Sequence, residues 1–140
     1  MAVNTQFSIA VHMMAALACW HGEKELTSGD LAMSVNTSPS FVRRVLARLS
    51  KAGLVETTTG KTGACRLARD PKTVSLLDIH HAVGAPKAFS IHSYNEQKGC
   101  QVSCHIKLAL EKALEKTQKA MESGLADISL KQIVTEVNKK

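Results

Sequence analysis

Two groups of residues in this chain have types and spacings suited to chemistry. The first is cationic. Between positions 36 and 72 lie Arg43, Arg44, Arg48, Lys51, Lys61, Arg66, Arg69 and Lys72, against only two acids, Glu56 and Asp70. That net +6 equals the formal charge of the whole 140-residue chain, so everything outside the segment sums to zero. A cationic excess confined to one stretch implies a localised electropositive surface, whose usual counterpart is a polyanion such as a nucleic-acid backbone. The second group is Cys100 and Cys104, with His105 beside the latter. Such a set can supply nucleophilic thiolates, a disulfide or metal ligands.

The elements that must carry these residues follow from pattern. Asn4 or Thr5 can cap a first helix reaching about Trp20, whose apolar residues cover more than one face and so predict burial. His21-Gly22 ends it. Thr27 caps a short helix to about 35, with Asp30 as the acidic partner of a capping box. Asn36-Thr37 turns the chain, Ser38 caps again, and Pro39 occupies the first helical position, where its missing N–H costs nothing.

The helix expected over 39–52 sorts into faces. Val42, Val45, Leu46 and Leu49 form one buried stripe, while Arg44, Arg48 and Lys51 share the opposite side, with Ser40 and Arg43 near the start. Gly53 stops it. Strands are expected over 54–58 and 65–67 about a turn at 60–63. Two helices joined by a tight turn and followed by a two-stranded ribbon make a winged helix-turn-helix.

Beyond Asp70-Pro71 a helix is expected over 75–83, then a connecting loop over 84–103 and a long helix over 104–123. The seam of that helix is Ile106, Ala109, Leu110, Ala113, Leu114, Thr117, Ala120 and Met121. A short helix over 129–138 closes the chain. The fold class is therefore mostly α with a small β-wing. Its organisation reads as a winged helix-turn-helix domain at 1–83, a loop with candidate sensor cysteines at 84–103, and a dimerisation helix plus short helix at 104–140.

Function classes narrow accordingly. No apolar run approaches the roughly 20 residues that span a bilayer, and no secretory signal pattern opens the chain. A cytoplasmic protein with no membrane partner is expected, in which the four cysteines are not structural disulfides. Adjacent Cys104 and His105 rarely point at each other, and neither a phosphate-cradling glycine loop nor paired carboxylates are present, so no enzyme is expected. The reading is a protein that binds double-stranded DNA. A winged helix used for protein interaction is the alternative. A recognition helix enters the major groove N-terminus first, which puts Ser38, Ser40, Arg43 and Arg44 near base edges. Arg48 and Lys51 would meet phosphates, and Lys61 at the ribbon tip the backbone or minor groove.

Several strings resemble the Rrf-two family of bacterial transcription regulators, and particularly its YwnA-like branch. They are Ser40-Phe41-Val42-Arg43-Arg44-Val45-Leu46 with Leu49, Ala52-Gly53-Leu54-Val55, Gly60 and Gly63, Leu67-Ala68, and Ser75-Leu76-Leu77-Asp78-Ile79. In the tail, Ala120-Met121-Glu122 and Ser129-Leu130-Lys131 extend the likeness over nearly the whole chain. The resemblance implies a homodimeric winged-helix regulator, usually a repressor, dimerised through its long C-terminal helix. Family members that bind a two-iron two-sulfur cluster carry three cysteines before that helix, where this chain has Cys100 and Cys104 only. Thr62 and Ala64 replace common wing glycines, and Thr59 stands where cluster-binding relatives can place an Arg.

No cofactor is therefore expected, with an iron–sulfur or metal-binding regulator of the same fold as the alternative. Cys100, Cys104 and His105 give three donors at most, and a cluster held within one chain takes four. A thiol switch at Cys100 and Cys104 fits better. At the start of a helix, unpaired N–H groups and the positive dipole end favour thiolate over thiol. By resemblance to oxidant- and electrophile-responsive relatives, Cys100 is the first choice as sensor. Cys19 and Cys65 read as packing residues, and His12, His80 and His81 as ordinary helix positions.

Overall fold

The computed structural model describes residues 5–20, 23, 25–58, 63–84 and 87–139. Helix α1 (Gln6–Cys19) is buried on successive positions from Met13 to Leu17, as its all-round apolar sequence requires. Strand β1 (Leu26–Thr27) leads directly into α2 (Ser28–Val35). Thr27 closes the anticipated capping box: its Oγ1 accepts from Asp30 N–H at 3.1 Å, and its own N–H donates to Asp30 Oδ2 at 2.9 Å. Asn36 then takes a left-handed φ of 65°, a conformation Asn tolerates better than most residues.

Helix α3 (Pro39–Lys51) starts on the Ser38 cap, whose Oγ accepts from Phe41 N–H at 3.3 Å. Val42, Val45, Leu46 and Leu49 are all buried in the core. Gly53, at φ 77°, turns the chain out of the helix. Strands β2 (Val55–Thr57) and β3 (Ala64–Leu67) pair antiparallel, with Glu56 opposite Arg66.

The sheet corrects the expected two-stranded ribbon. Its order is β1-β3-β2, because Leu26 and Thr27 pair with Cys65 and Ala64. Two residues show no alternation, so β1 exists only through the partner that tertiary folding brings to it.

A single 3₁₀ turn (Pro71–Thr73) precedes α4 (Leu76–Ala82), which opens on a second capping box formed by Ser75 and Asp78. Helix α6 (Leu130–Val137) opens on a third, formed by Ser129 and Gln132. Leu130 N–H donates to the Val74 carbonyl at 2.8 Å, and Leu76 N–H to the Ile128 carbonyl at 2.9 Å. These bonds and the fully buried Leu130 tie residues 128–130 to the segment that leads into α4. One compact unit accordingly comprises Met1–Ala85 with Leu125–Lys140, and the second is Pro86–Gly124.

Helix α5 (Gln101–Ala126) starts at Gln101 rather than Cys104 and runs past Ser123. Gly124 does not stop it; a helical glycine costs about 1 kcal/mol but leaves the hydrogen-bond ladder intact. Within the second unit, Ala88 N–H donates to Gln118 Oε1 at 3.1 Å, and Gln97 N–H to Ser103 Oγ at 2.9 Å. The imidazole of His92 stacks on the Tyr94 ring at 4.9 Å. No residue of α5 is buried, and Val102 and Leu108 are largely exposed.

Candidate nucleic-acid interface

The cationic side chains fall into two classes once their partners are considered. Arg66 closes an ion pair with Glu56 at 2.8 Å across the wing, and Arg69 donates to the Thr73 carbonyl with Asp78 at 3.9 Å. Among the described residues, no acid pairs with Arg43, Arg44 or Lys51, and all three are exposed. Three exposed cations without an acid partner thus lie together on α3. Lys61 lies outside the described residues, as do Thr59, Gly60 and Thr62 of the wing turn.

Within α3 the geometry is more differentiated than a helical wheel shows. The Arg44 guanidinium lies 5.3 Å from the centre of the Phe41 ring, an arrangement that limits its rotamers. Ser40 Oγ is 3.3 Å from Ser38 Oγ at the exposed N-terminal end. Arg43 and Lys51 line a concavity of about 580 Å³ together with Ser28, Ser50, Thr57 and Thr58, between the start of α2, α3 and the wing. The sequence pattern gave no site role to these hydroxyls or to Phe41. Ser50 was within reach, since it stands seven positions after Arg43 and shares its face.

Arg48 behaves differently. Its Nη1 donates to the Val83 carbonyl at the end of α4 at 2.7 Å, and to Gln6 Oε1 of α1 at 3.4 Å. It is exposed, as expected, but its hydrogen bonds run inward to the fold.

The four thiols are all unpaired and differ in access. Cys100 is exposed, and its Sγ accepts from Ser103 N–H at 3.4 Å, so the sulfur serves as the cap of α5. Cys104 is half-buried one turn later, its Sγ donating to the Gln97 carbonyl at 3.7 Å. Cys19 is half-buried, with its Sγ 4.0 Å from Asn138 Oδ1. Cys65 is buried in β3, and loss of water around it pushes its thiol above the ordinary value.

A family model described as Rrf2, iron-dependent transcriptional regulator, matches residues 3–136. The chain belongs to the Rrf-two (Rrf2) family. The curated relative YwnA of Bacillus subtilis (strain 168), which carries the name of an HTH-type transcriptional regulator, is 34% identical over 133 residues, covering 94% of this chain and 96% of its own. Two solved structures share the fold. IscR of T. potens has a TM-score of 0.72 at 23% identity, covering 99% of this chain and 89% of its own. The oxidised form of CymR from Staphylococcus aureus has a TM-score of 0.70 at 20% identity, covering 96% of each.

Rrf2 proteins are DNA-binding transcriptional regulators rather than enzymes, and this one is mostly helical with a small antiparallel wing and a long C-terminal helix. No helix among the described residues is long and apolar enough to cross a membrane. The iron in the family description invites a test of the donors. Among the described residues, no three His, Cys, Asp or Glu side chains converge as a metal site. His105 Nδ1 lies 2.8 Å from the Gln101 carbonyl of its own helix, which leaves its Nε2 as a donor beside the sulfurs of Cys100 and Cys104. Three donors do not complete a cluster that takes four ligands within one chain.

Proposed function

We propose that this chain is a homodimeric, sequence-specific repressor whose DNA affinity is controlled by oxidation or electrophilic modification at Cys100 and Cys104. The observation that carries the DNA-reading part is the unpaired cationic face of α3 in an Rrf2 fold. Arg43, Arg44 and Ser40 at the N-terminal end reach base edges, where an Arg fork can bond guanine O6 and N7 together. Ser38 sits beside them, although its Oγ already holds the helix start. Lys51 meets phosphate, and Lys61, in the turn expected from the sequence, meets the backbone or the minor groove.

The homodimer is supported by α5. Val102, Ile106, Ala109, Ala113 and Ala120 recur at alternating spacings of four and three (with Lys116 filling the one gap), the repeat that keeps one face towards a partner helix. The helix is roughly 39 Å long and presents this stripe uncovered or half-covered. Two recognition helices related by a twofold axis then read two half-sites, so their spacing becomes a control point.

The thiol control is supported by exposure and by the cap. A peroxide oxidises Cys100 to the sulfenic acid, releasing water. Attack by the Cys104 thiol, or by a thiol of a second subunit, expels a second water and leaves a disulfide, so two electrons have passed to the peroxide. The sulfur that capped α5 is then tied by its new S–S bond and drawn away from Ser103 N–H. The test is fluorescence anisotropy on a duplex carrying the protein's own upstream region, before and after mild peroxide. The account requires binding that weakens steeply with salt, and a change on oxidation that Cys100→Ala abolishes. Salt-insensitive binding removes the DNA assignment; oxidation without effect on affinity removes the switch alone.

A further inference from the structure

The recognition helix has two ends with different surroundings. Its N-terminal end carries exposed Arg43 and Arg44. Its C-terminal end is fastened to the rest of the fold through Arg48, whose Nη1 reaches the Val83 carbonyl at 2.7 Å and Gln6 Oε1 at 3.4 Å. The last carbonyls of a helix lack intrahelical partners and carry the negative end of its dipole, so a guanidinium there is favoured twice over. The fit is close. Gly84 follows at φ 58°, and a side chain built on it would begin 3.9 Å from Arg48 Nη1. Val83 itself is fully buried, so the carbonyl that Arg48 holds is a fixed point of the core.

We propose that Arg48 is a positioning residue for DNA reading and makes no contact with DNA. It sets the tilt of α3 by holding the C-terminal end of the helix against α4 and α1. Arg48 stands nine positions after Pro39, roughly 14 Å along the axis. A helix released at one end swings at the other, and bidentate hydrogen bonds to base edges are lost with small displacements. Phosphate contacts by flexible Lys side chains follow such a swing. Losing Arg48 therefore lowers discrimination between sequences while leaving general DNA affinity in place. This inference rests on the reading of α3 as the helix that enters the groove.

The experiment uses the full chain and two duplexes of equal length, one recovered by in vitro selection with the wild-type protein and one of random sequence. Affinity for each is measured across a salt series for wild type, Arg48→Met, Gln6→Leu and Arg44→Ala. Arg48→Met is expected to weaken binding to the selected duplex about ten-fold, to leave the random duplex within about two-fold, and to keep the slope of log K against log salt. A phosphate contact would instead weaken both duplexes together and make the slope shallower by about 0.9, which overturns the proposal. Unchanged affinity for the selected duplex also overturns it.

Gln6→Leu alters no charge, so it carries the test should Arg48→Met fold poorly. A loss on the selected duplex at constant slope supports the tie; no loss overturns it. Arg44→Ala separates the two levels of the argument. If it too leaves the selected duplex unaffected, the placement of α3 on DNA has failed, and the role of Arg48 falls with it.

Discussion

Glu56 and Arg66 face each other across β2 and β3 and close an ion pair at 2.8 Å, with both side chains more than half exposed. An exposed pair of this kind contributes about 0–1 kcal/mol to stability, so its main consequence is electrostatic. It cancels one of the wing's positive charges. Glu56→Gln should therefore change the melting temperature little and tighten binding to random-sequence duplex several-fold at low salt, with a salt slope steeper by at most about 0.9. Anisotropy on a random duplex at two salt concentrations checks this.

The Arg44 guanidinium over Phe41 makes a related prediction about reading. Arg44→Ala should cost about 1–3 kcal/mol on a selected operator and relax specificity at one base position. Phe41→Leu keeps an apolar side chain at this half-buried position but removes the ring face, and should cost a fraction of that. Binding-site selection with each variant reads out the relaxed position directly.

Much of this was legible in the sequence, and the reasons are local. Ser38 followed by Pro39 states a helix start in two residues, and Val42, Val45, Leu46 and Leu49 state which side is buried. Thr27 with Asp30, and Gly53 after the helix, act over three or four residues and survive folding unchanged. What was hidden depends on partners distant in sequence. Strand β1 is two residues that become a strand only beside β3. The start of α5 rests on the sulfur of Cys100 as cap, a role that cap preferences assign to oxygen side chains. Arg48 shares a helix face with Arg44, and no periodicity can reveal that a carbonyl 35 positions later has claimed it.

Dimerisation through α5 predicts a sharp effect from a charge on its small-residue stripe. Ala109→Glu with Ala113→Glu would place like charges opposite one another in a partner helix pair. The variant is expected to sediment as a monomer with unchanged helix content and to lose about 100-fold or more in operator affinity, because one half-site contact set is gone. Analytical ultracentrifugation and circular dichroism decide it.

Burial of Cys65 gives a pH dependence with a defined sign. The folded chain prefers the neutral thiol, so the thiol's pKa is higher folded than unfolded. Its contribution is complete below the ordinary thiol value of about 8.5 and is lost as pH rises through the raised one. Denaturant melts from about pH 8 to pH 10 should show falling stability, and Cys65→Val should flatten that fall. Alkylation by iodoacetamide at neutral pH should mark Cys100 first and Cys65 last in mass spectra.

The central claim is that unpaired cations on α3 grip duplex DNA, and one titration tests it. Anisotropy of the wild-type chain and of Arg43→Ala with Arg44→Ala is measured on the selected duplex across a salt series. The account predicts a steep wild-type slope, at least about 100-fold weaker binding by the double variant, and an altered sequence preference in what binding remains. Equal affinity, slope and preference for the two proteins would contradict it.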